Sequence, residues 1–133
     1  MNVSGVAYLD SSAFLKLVVA EPESVALANY LTRWPRWASS TLLRTEVMRA
    51  ARRHHPRYLV PARRQLAAMD LVQMTEPLLD NAATLNPPEL RSLDAIHLAA
   101  ALSLGPDLGV LVAYDERLAE AARQQGLTVH SPQ

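Results

Sequence analysis

Four carboxylates stand where an acidic site could be built. Asp10 closes the apolar run at residues 6–9, and Asp115 closes the run VLVAY at residues 110–114. Asp94 lies in the first turn of an otherwise apolar helical segment, SLDAIHLAAAL, with His97 and Leu98 three and four residues further on. Glu46 is an isolated acid in an arginine-rich helical segment, flanked by Thr45 and Val47. Each has a plain reading when taken alone. Asp94 could be an acid favoured by a helix dipole, Asp115 a helix N-cap, and Glu46 a surface partner of Arg44 or Arg49. Asp10 has fewer such roles, because it ends a buried strand, where charge is costly. Taken together, four carboxylates with no histidine cluster and no thiol suit a hard cation with oxygen ligands, Mg2+ or Mn2+. Such ions keep waters and recruit substrate phosphates. One ion, or two about 3.5–4 Å apart, can activate a water and stabilise a leaving 3′-oxygen.

The charge distribution agrees with a phosphate-rich ligand. Thirteen basic and thirteen acidic residues cancel, yet nine of the cations fall between Arg33 and Arg64, where Glu46 is the only acid. Twelve of the thirteen are arginine, whose planar fork matches phosphate. A codon bias toward arginine would explain the Arg/Lys ratio, though not the clustering. Such a flank is the electrostatic track a polyphosphate needs.

The remaining composition narrows the class. With 133 residues, half of them apolar and 20% charged, the chain can bury a core, which excludes global disorder. The absence of cysteine excludes disulfides, zinc–thiolate and iron–sulfur sites and a thiol nucleophile. The longest charge-free run, residues 95–106, is too short to span a bilayer. The opening MNVSGVAYLD lacks a basic start and meets Asp10 too early for a secretory leader, so the expected location is cytoplasmic.

Strands and helices alternate along the chain. Strands are expected at 6–9, 37–39, 71–74, 109–114 and 127–130. Helices are expected at 11–19, 23–32, 42–54, 58–69, from Pro77 to about Leu85, at 93–104 and at 117–125. Ser40 or Thr41 should cap the helix at 42, Ser92 the helix at 93, and Gly126 should close the last one. Such alternation makes an α/β fold with a mostly parallel central sheet and helices on both faces. Asp10 and Asp115 then point at one edge, the carboxyl ends of the strands, where open α/β sheets bind ligands. His97, on an apolar helix face, reads as a packed or hydrogen-bonded histidine. His54 and His55 read as exposed. Trp34 and Trp37 read as core anchors or protein contacts, since a stacking platform for single-stranded nucleic acid would need more aromatic residues than the 5% present.

Four segments carry a family resemblance: Tyr8-Leu9-Asp10-Ser11-Ser12-Ala13, Leu43-Arg44-Thr45-Glu46-Val47, Leu93-Asp94-Ala95-Ile96-His97-Leu98-Ala99-Ala100-Ala101 and Tyr114-Asp115-Glu116-Arg117-Leu118. In order and spacing they resemble the acidic blocks of PIN-domain ribonucleases, most closely the VapC-type toxins of bacterial toxin–antitoxin pairs. The resemblance spans essentially the whole chain, and its most specific piece is the Asp-Ala-Ile-His-Leu-Ala block. It implies a single three-layer PIN-like domain over residues 1–133. It also implies a Mg2+-dependent endoribonuclease, usually a homodimer, held inactive by a cognate antitoxin protein. By position, Asp10, Glu46, Asp94 and Asp115 form the implied acidic site, with Ser12 supporting Asp10 through its hydroxyl. Asp10, Asp94 and Asp115 are the implied metal ligands, and Glu46 a ligand or water-orienting group. Arg49, Arg52 and Arg53 are expected to hold flanking RNA phosphates. One departure is Ala113, two residues before the last acid, where the family often carries Thr or Ser. A hydroxyl partner for Asp115 is therefore missing there, while the carboxylate is kept.

Other functions are expected to leave other signatures. A phospho-accepting receiver domain needs paired acids after the first strand and a lysine after a late one, but here Asp10 is followed by Ser11-Ser12 and the only lysine is Lys16. A haloacid-type phosphatase wants Asp where Ser12 stands. A catalytically silent PIN-like module binding RNA or protein remains the alternative, and the intact set of four acids argues against it.

Overall fold

A computed structural model describes residues 4–133. Five strands, β1 (Val6–Leu9), β2 (Arg36–Ser40), β3 (Asp70–Val72), β4 (Leu108–Val112) and β5 (Val129–His130), form one sheet. Its order is β3-β2-β1-β4-β5, with every pairing parallel. Seven α-helices connect the strands: α1 (Ser11–Leu15), α2 (Ser24–Leu31), α3 (Leu43–His54), α4 (Leu59–Ala67), α5 (Glu76–Ala83), α6 (Ser92–Ser103) and α7 (Glu116–Gln124).

The alternation of side chains along the strands decides which helix lies where. On β1, Val6 and Tyr8 face one side while Ala7 and Leu9 face the other, and all four are buried. Val6, Tyr8 and Leu111 pack against α5, α6 and α7 through Leu78, Ala82, Leu98, Leu118 and Ala122. Ala7, Leu9, Val110 and Val112 pack against α1 to α4 through Phe14, Leu27, Leu31, Val47 and Ala62. The result is the expected three-layer sandwich with a doubly buried central strand.

Several boundaries differ from the sequence expectation for local reasons. The helix expected to reach Val19 stops at Leu15, after which the chain winds through Lys16–Ala13, Leu17–Phe14 and Val18–Leu15 backbone bonds. This tighter winding brings Lys16 to Glu23 (3.0 Å) and Glu21 (3.5 Å). Ser92 is the first residue of α6; Arg91, extended in backbone and without a side-chain bond, holds the cap position. Leu42 holds the cap position of α3, and the Ser40 hydroxyl accepts the Leu42 N–H at 3.1 Å. The last strand begins at Val129 because Leu127 is used to close α7. Its N–H bonds Ala122 O while Gly126, at φ +84°, bonds Arg123 O.

A second glycine is required by close approach. The register between β1 and β4 slips by one residue at Gly109, where a Cβ would lie 2.1 Å from the Trp34 ring. Trp34 and Trp37 both pack on the α1–α4 side of the core, and the Trp37 indole N–H donates to Leu31 O at 3.2 Å. No helix among the described residues is long and apolar enough to cross a membrane.

Candidate active site

The strand order places the site. From β1 the chain builds outward through β2 and β3, then returns to add β4 and β5 on the other side. The crevice of such a sheet opens where the order reverses, at the carboxyl ends of β1 and β4. Asp10 follows β1 directly and Asp115 follows β4 by three residues. Glu46 stands in the first turn of α3 and Asp94 in the first turn of α6.

Each acid is tied down differently. Asp10, only 4% exposed, is the N-cap of α1. Its Oδ1 accepts the Ala13 N–H at 2.9 Å, and the Ser12 hydroxyl lies 3.0 Å from Oδ1 and 3.1 Å from Oδ2. Asp115 is the N-cap of α7, its Oδ1 accepting the Leu118 N–H at 3.0 Å. The capping role thus coexists with a place at the crevice, and it supplies Asp115 with a donor despite Ala113. Glu46 Oε1 accepts from the Ser11 hydroxyl and lies 2.8 Å from His97 Nε2. Among the described residues, no protein donor reaches Glu46 Oε2, Asp115 Oδ2 or either oxygen of Asp94. Glu46 and Asp115 are therefore each anchored through one oxygen, Asp10 is held at both, and Asp94 at neither.

The electrostatics show that these charges feel one another. Burial pushes the Asp10 carboxyl up to about 6; the Ala13 N–H and Ser12 hydroxyl oppose this, and the charge of Asp94 adds to it. Asp94 is raised by burial, then by Asp115, and further by Glu46. Burial also works against ionised Glu46, but bonds from His97 and Ser11 outweigh it and hold that carboxyl below its ordinary value. Asp94 is thus the common neighbour of the group.

These residues fit a hard divalent cation. The donors are carboxylate oxygens, several without a protein donor, in a cluster whose self-repulsion a cation would relieve. Among the described residues no three His, Asp or Glu side chains converge closely enough to cage one ion. An ion bound here would therefore be held by one or two carboxylates, with waters and phosphate completing its sphere. The sole lysine is engaged by Glu21 and Glu23 and stacks over the Tyr114 ring at 4.7 Å, so it does not serve as a receiver-type lysine.

His97 is buried, as its apolar setting suggested, and its hydrogen bonds make it part of the site's support. Ser11 and Tyr8 are contributors that the sequence reading missed. The doublet Ser11-Ser12 was the available signal: consecutive residues at a helix start point about 100° apart and so serve two different acids. Arg49, Arg52 and Arg53 are all exposed, and among the described residues none of them forms an ion pair.

The sheet and its acidic crevice define a PIN domain, and the PIN-domain family model matches residues 7–124. The chain belongs to that family, in its VapC-type branch. It is 52% identical over 126 residues to Ribonuclease VapC46 of Mycobacterium tuberculosis, covering 94% of this chain and 96% of that protein. Ribonuclease VapC47 of the same species is 42% identical over 130 residues, with 94% and 96% covered. A solved structure of VapBC2 from Rickettsia felis bound to a promoter DNA fragment shares the fold, with a TM-score of 0.69 at 10% identity over 96% of this chain and 99% of that one.

Proposed function

We propose that this chain is a Mg2+-dependent endoribonuclease and the toxin of a toxin–antitoxin pair. The observation that carries the reading is the placement of Asp10, Glu46, Asp94 and Asp115 at the carboxyl edge of β1 and β4, with Asp94 coupled in charge to the other three. The names of the M. tuberculosis relatives support RNA as substrate.

Asp10, Asp94 and Asp115 are the residues that would supply the one or two carboxylates holding the cation, with waters and phosphate as its remaining ligands. When bound, Mg2+, or Mn2+ in its place, supplies Lewis-acid activation of water and neutralises charge at the scissile phosphate. Ser12 and the Ala13 N–H fix the Asp10 carboxylate so that it does not rotate away. Glu46 Oε2 takes up a proton from the attacking water or orients it. Attack in line with the 3′-oxygen leaves a 5′-phosphate and a 3′-hydroxyl. Arg49, Arg52 and Arg53 hold flanking phosphates, Arg49 standing one turn along α3 from Glu46.

The partners proposed are an RNA substrate, a second copy of the chain in a homodimer, and a cognate antitoxin. The last is supported by the likeness of fold to the toxin–antitoxin complex of R. felis. The deciding experiment incubates purified protein with RNA in Mg2+, Mn2+ or EDTA and maps product ends. Metal-dependent cleavage with 5′-phosphate ends, lost in Asp10→Asn, is the expected result. RNA binding with no cleavage in either metal would instead establish a silent binding module.

A further inference from the structure

Behind Glu46 a line of hydrogen bonds runs from the sheet core to the crevice. Tyr8, fully buried on β1, lies with its hydroxyl 2.8 Å from His97 Nδ1. The His97 ring, 2% exposed, stands edge-on to the Tyr8 ring at 5.8 Å and presents Nε2 to Glu46 Oε1 at 2.8 Å. Ser11 gives its single hydroxyl proton to the same Oε1, and its oxygen is 3.1 Å from Nε2. α6 and α3 lie on opposite faces of the sheet, so the His97–Glu46 contact closes over its carboxyl edge.

We infer that His97 is a positioning residue for Glu46, with its Nε2–H and the Ser11 hydroxyl saturating Oε1 so that Oε2 alone serves the crevice. The inference rests on the reading of this crevice as a hydrolytic site. Proton accounting leads to it. An ionised carboxylate offers only acceptors, so a bare Nε2 at 2.8 Å would set lone pair against lone pair. Nε2 therefore carries hydrogen. On the opposite side of the ring, the Tyr8 phenol O–H lies 2.8 Å from Nδ1, which then accepts it. Both ring nitrogens are thereby seated and the ring cannot turn. A long, flexible Glu side chain three bonds from its backbone would otherwise sample several rotamers, and geometry near the reacting atoms matters to a fraction of an ångström. α6 thus acts twice within one turn, delivering Asp94 to the crevice and His97 to the back of Glu46.

The test combines a spectroscopic and a kinetic arm. In metal-free protein, a long-range 15N–1H correlation spectrum of the histidine rings should show Nε2 of His97 protonated; a bare Nε2 overturns the inference. With RNA and Mg2+, His97→Leu should lower kcat roughly 10- to 100-fold, as loss of a supporting partner usually does, with KM little changed. His97→Gln, which restores an N–H near the Nε2 position, should recover most of that loss. Ser11→Ala removes the other donor to Oε1 from a partly exposed site and should give a smaller fall in kcat at unchanged KM. It carries the kinetic arm if His97→Leu fails to fold. Wild-type kcat in a folded His97→Leu, or His97→Gln no better than it, overturns the inference. Absence of RNA cleavage by the wild type would overturn the functional reading, and the ring spectrum would still decide whether His97 holds Glu46.

Discussion

At the residue scale Asp10 bears the largest opposition to its own charge. Its carboxyl, raised to about 6, is protonated more readily in the folded than in the unfolded chain, where the ordinary value is 3.8. The sign follows: this group favours folding below about pH 4 and loses that contribution as pH rises through 6. Metal-free wild type should therefore lose on the order of 2–3 kcal/mol between pH 4 and 7 from this residue, at about 1.4 kcal/mol per pH unit of displacement. Asp10→Asn keeps an acceptor for the Ala13 N–H and removes the charge. It should melt several degrees higher than wild type at pH 7, show a flatter pH profile, and cleave no RNA. Thermal unfolding from pH 4 to 8 beside a cleavage assay checks this; full activity in Asp10→Asn would sink the assignment. By linkage, Mg2+ should raise the melting temperature of wild type and move Asp94→Asn much less. Asp10 was legible in the sequence because the apolar run at 6–9 ends on it. Ser11 and Tyr8 were not, because their partners lie 35 and 89 residues away and only the packed structure brings them into contact.

At the element scale, α3 sets how far the arginines stand from the acids. With a rise of about 1.5 Å per residue, Arg49 is roughly 4.5 Å along the axis from Glu46, and Arg52 and Arg53 roughly 9–10.5 Å. Arg49 and Arg53 lie closest to the stripe of Glu46, and Arg52 is turned away. RNA affinity, measured in Ca2+ with Asp10→Asn so that nothing is cut, should fall with salt at about −0.7 per phosphate contact. Replacing Arg52 and Arg53 together by Gln should reduce that slope by about one to one and a half units, equally for unrelated RNAs. Among single variants, Arg49→Gln or Arg53→Gln should matter more than Arg52→Gln. An unchanged slope would mean that the cluster faces something other than RNA. A different element, the β1–β4 register slip, makes a packing prediction. Gly109→Ala drives a methyl group into the Trp34 ring and should cost about 1–3 kcal/mol by denaturant titration, with much of it regained in Trp34→Leu/Gly109→Ala. Helix positions were readable from apolar periodicity. The caps expected at Ser92 and at Ser40 or Thr41 are held instead by Arg91 and Leu42, since Ser and Thr cap only if the backbone turns at that residue.

At the scale of the whole molecule, the sequence showed that Asp10 and Asp115 share an edge but not that they flank the same crevice. That depends on β4 choosing β1, rather than β3, as its neighbour, a long-range pairing that leaves no local mark. The crevice so formed is acidic, and its natural plug is a cation. An antitoxin segment should place an Arg or Lys against Asp10, Asp94 or Asp115. A complex structure with the crevice open to solvent would refute this. Strand order has one more consequence, in time rather than space. The neighbours of β1 begin at Arg36 and at Leu108, so a ribosome delivers Asp10, Glu46 and then Asp94 before the strand that walls the crevice. Until β4 emerges and docks, the growing chain holds most of its acids and nowhere to assemble them. The assembled site is thus expected to appear only when β4 docks on β1, which leaves an interval before that step for any neutralising partner to be waiting.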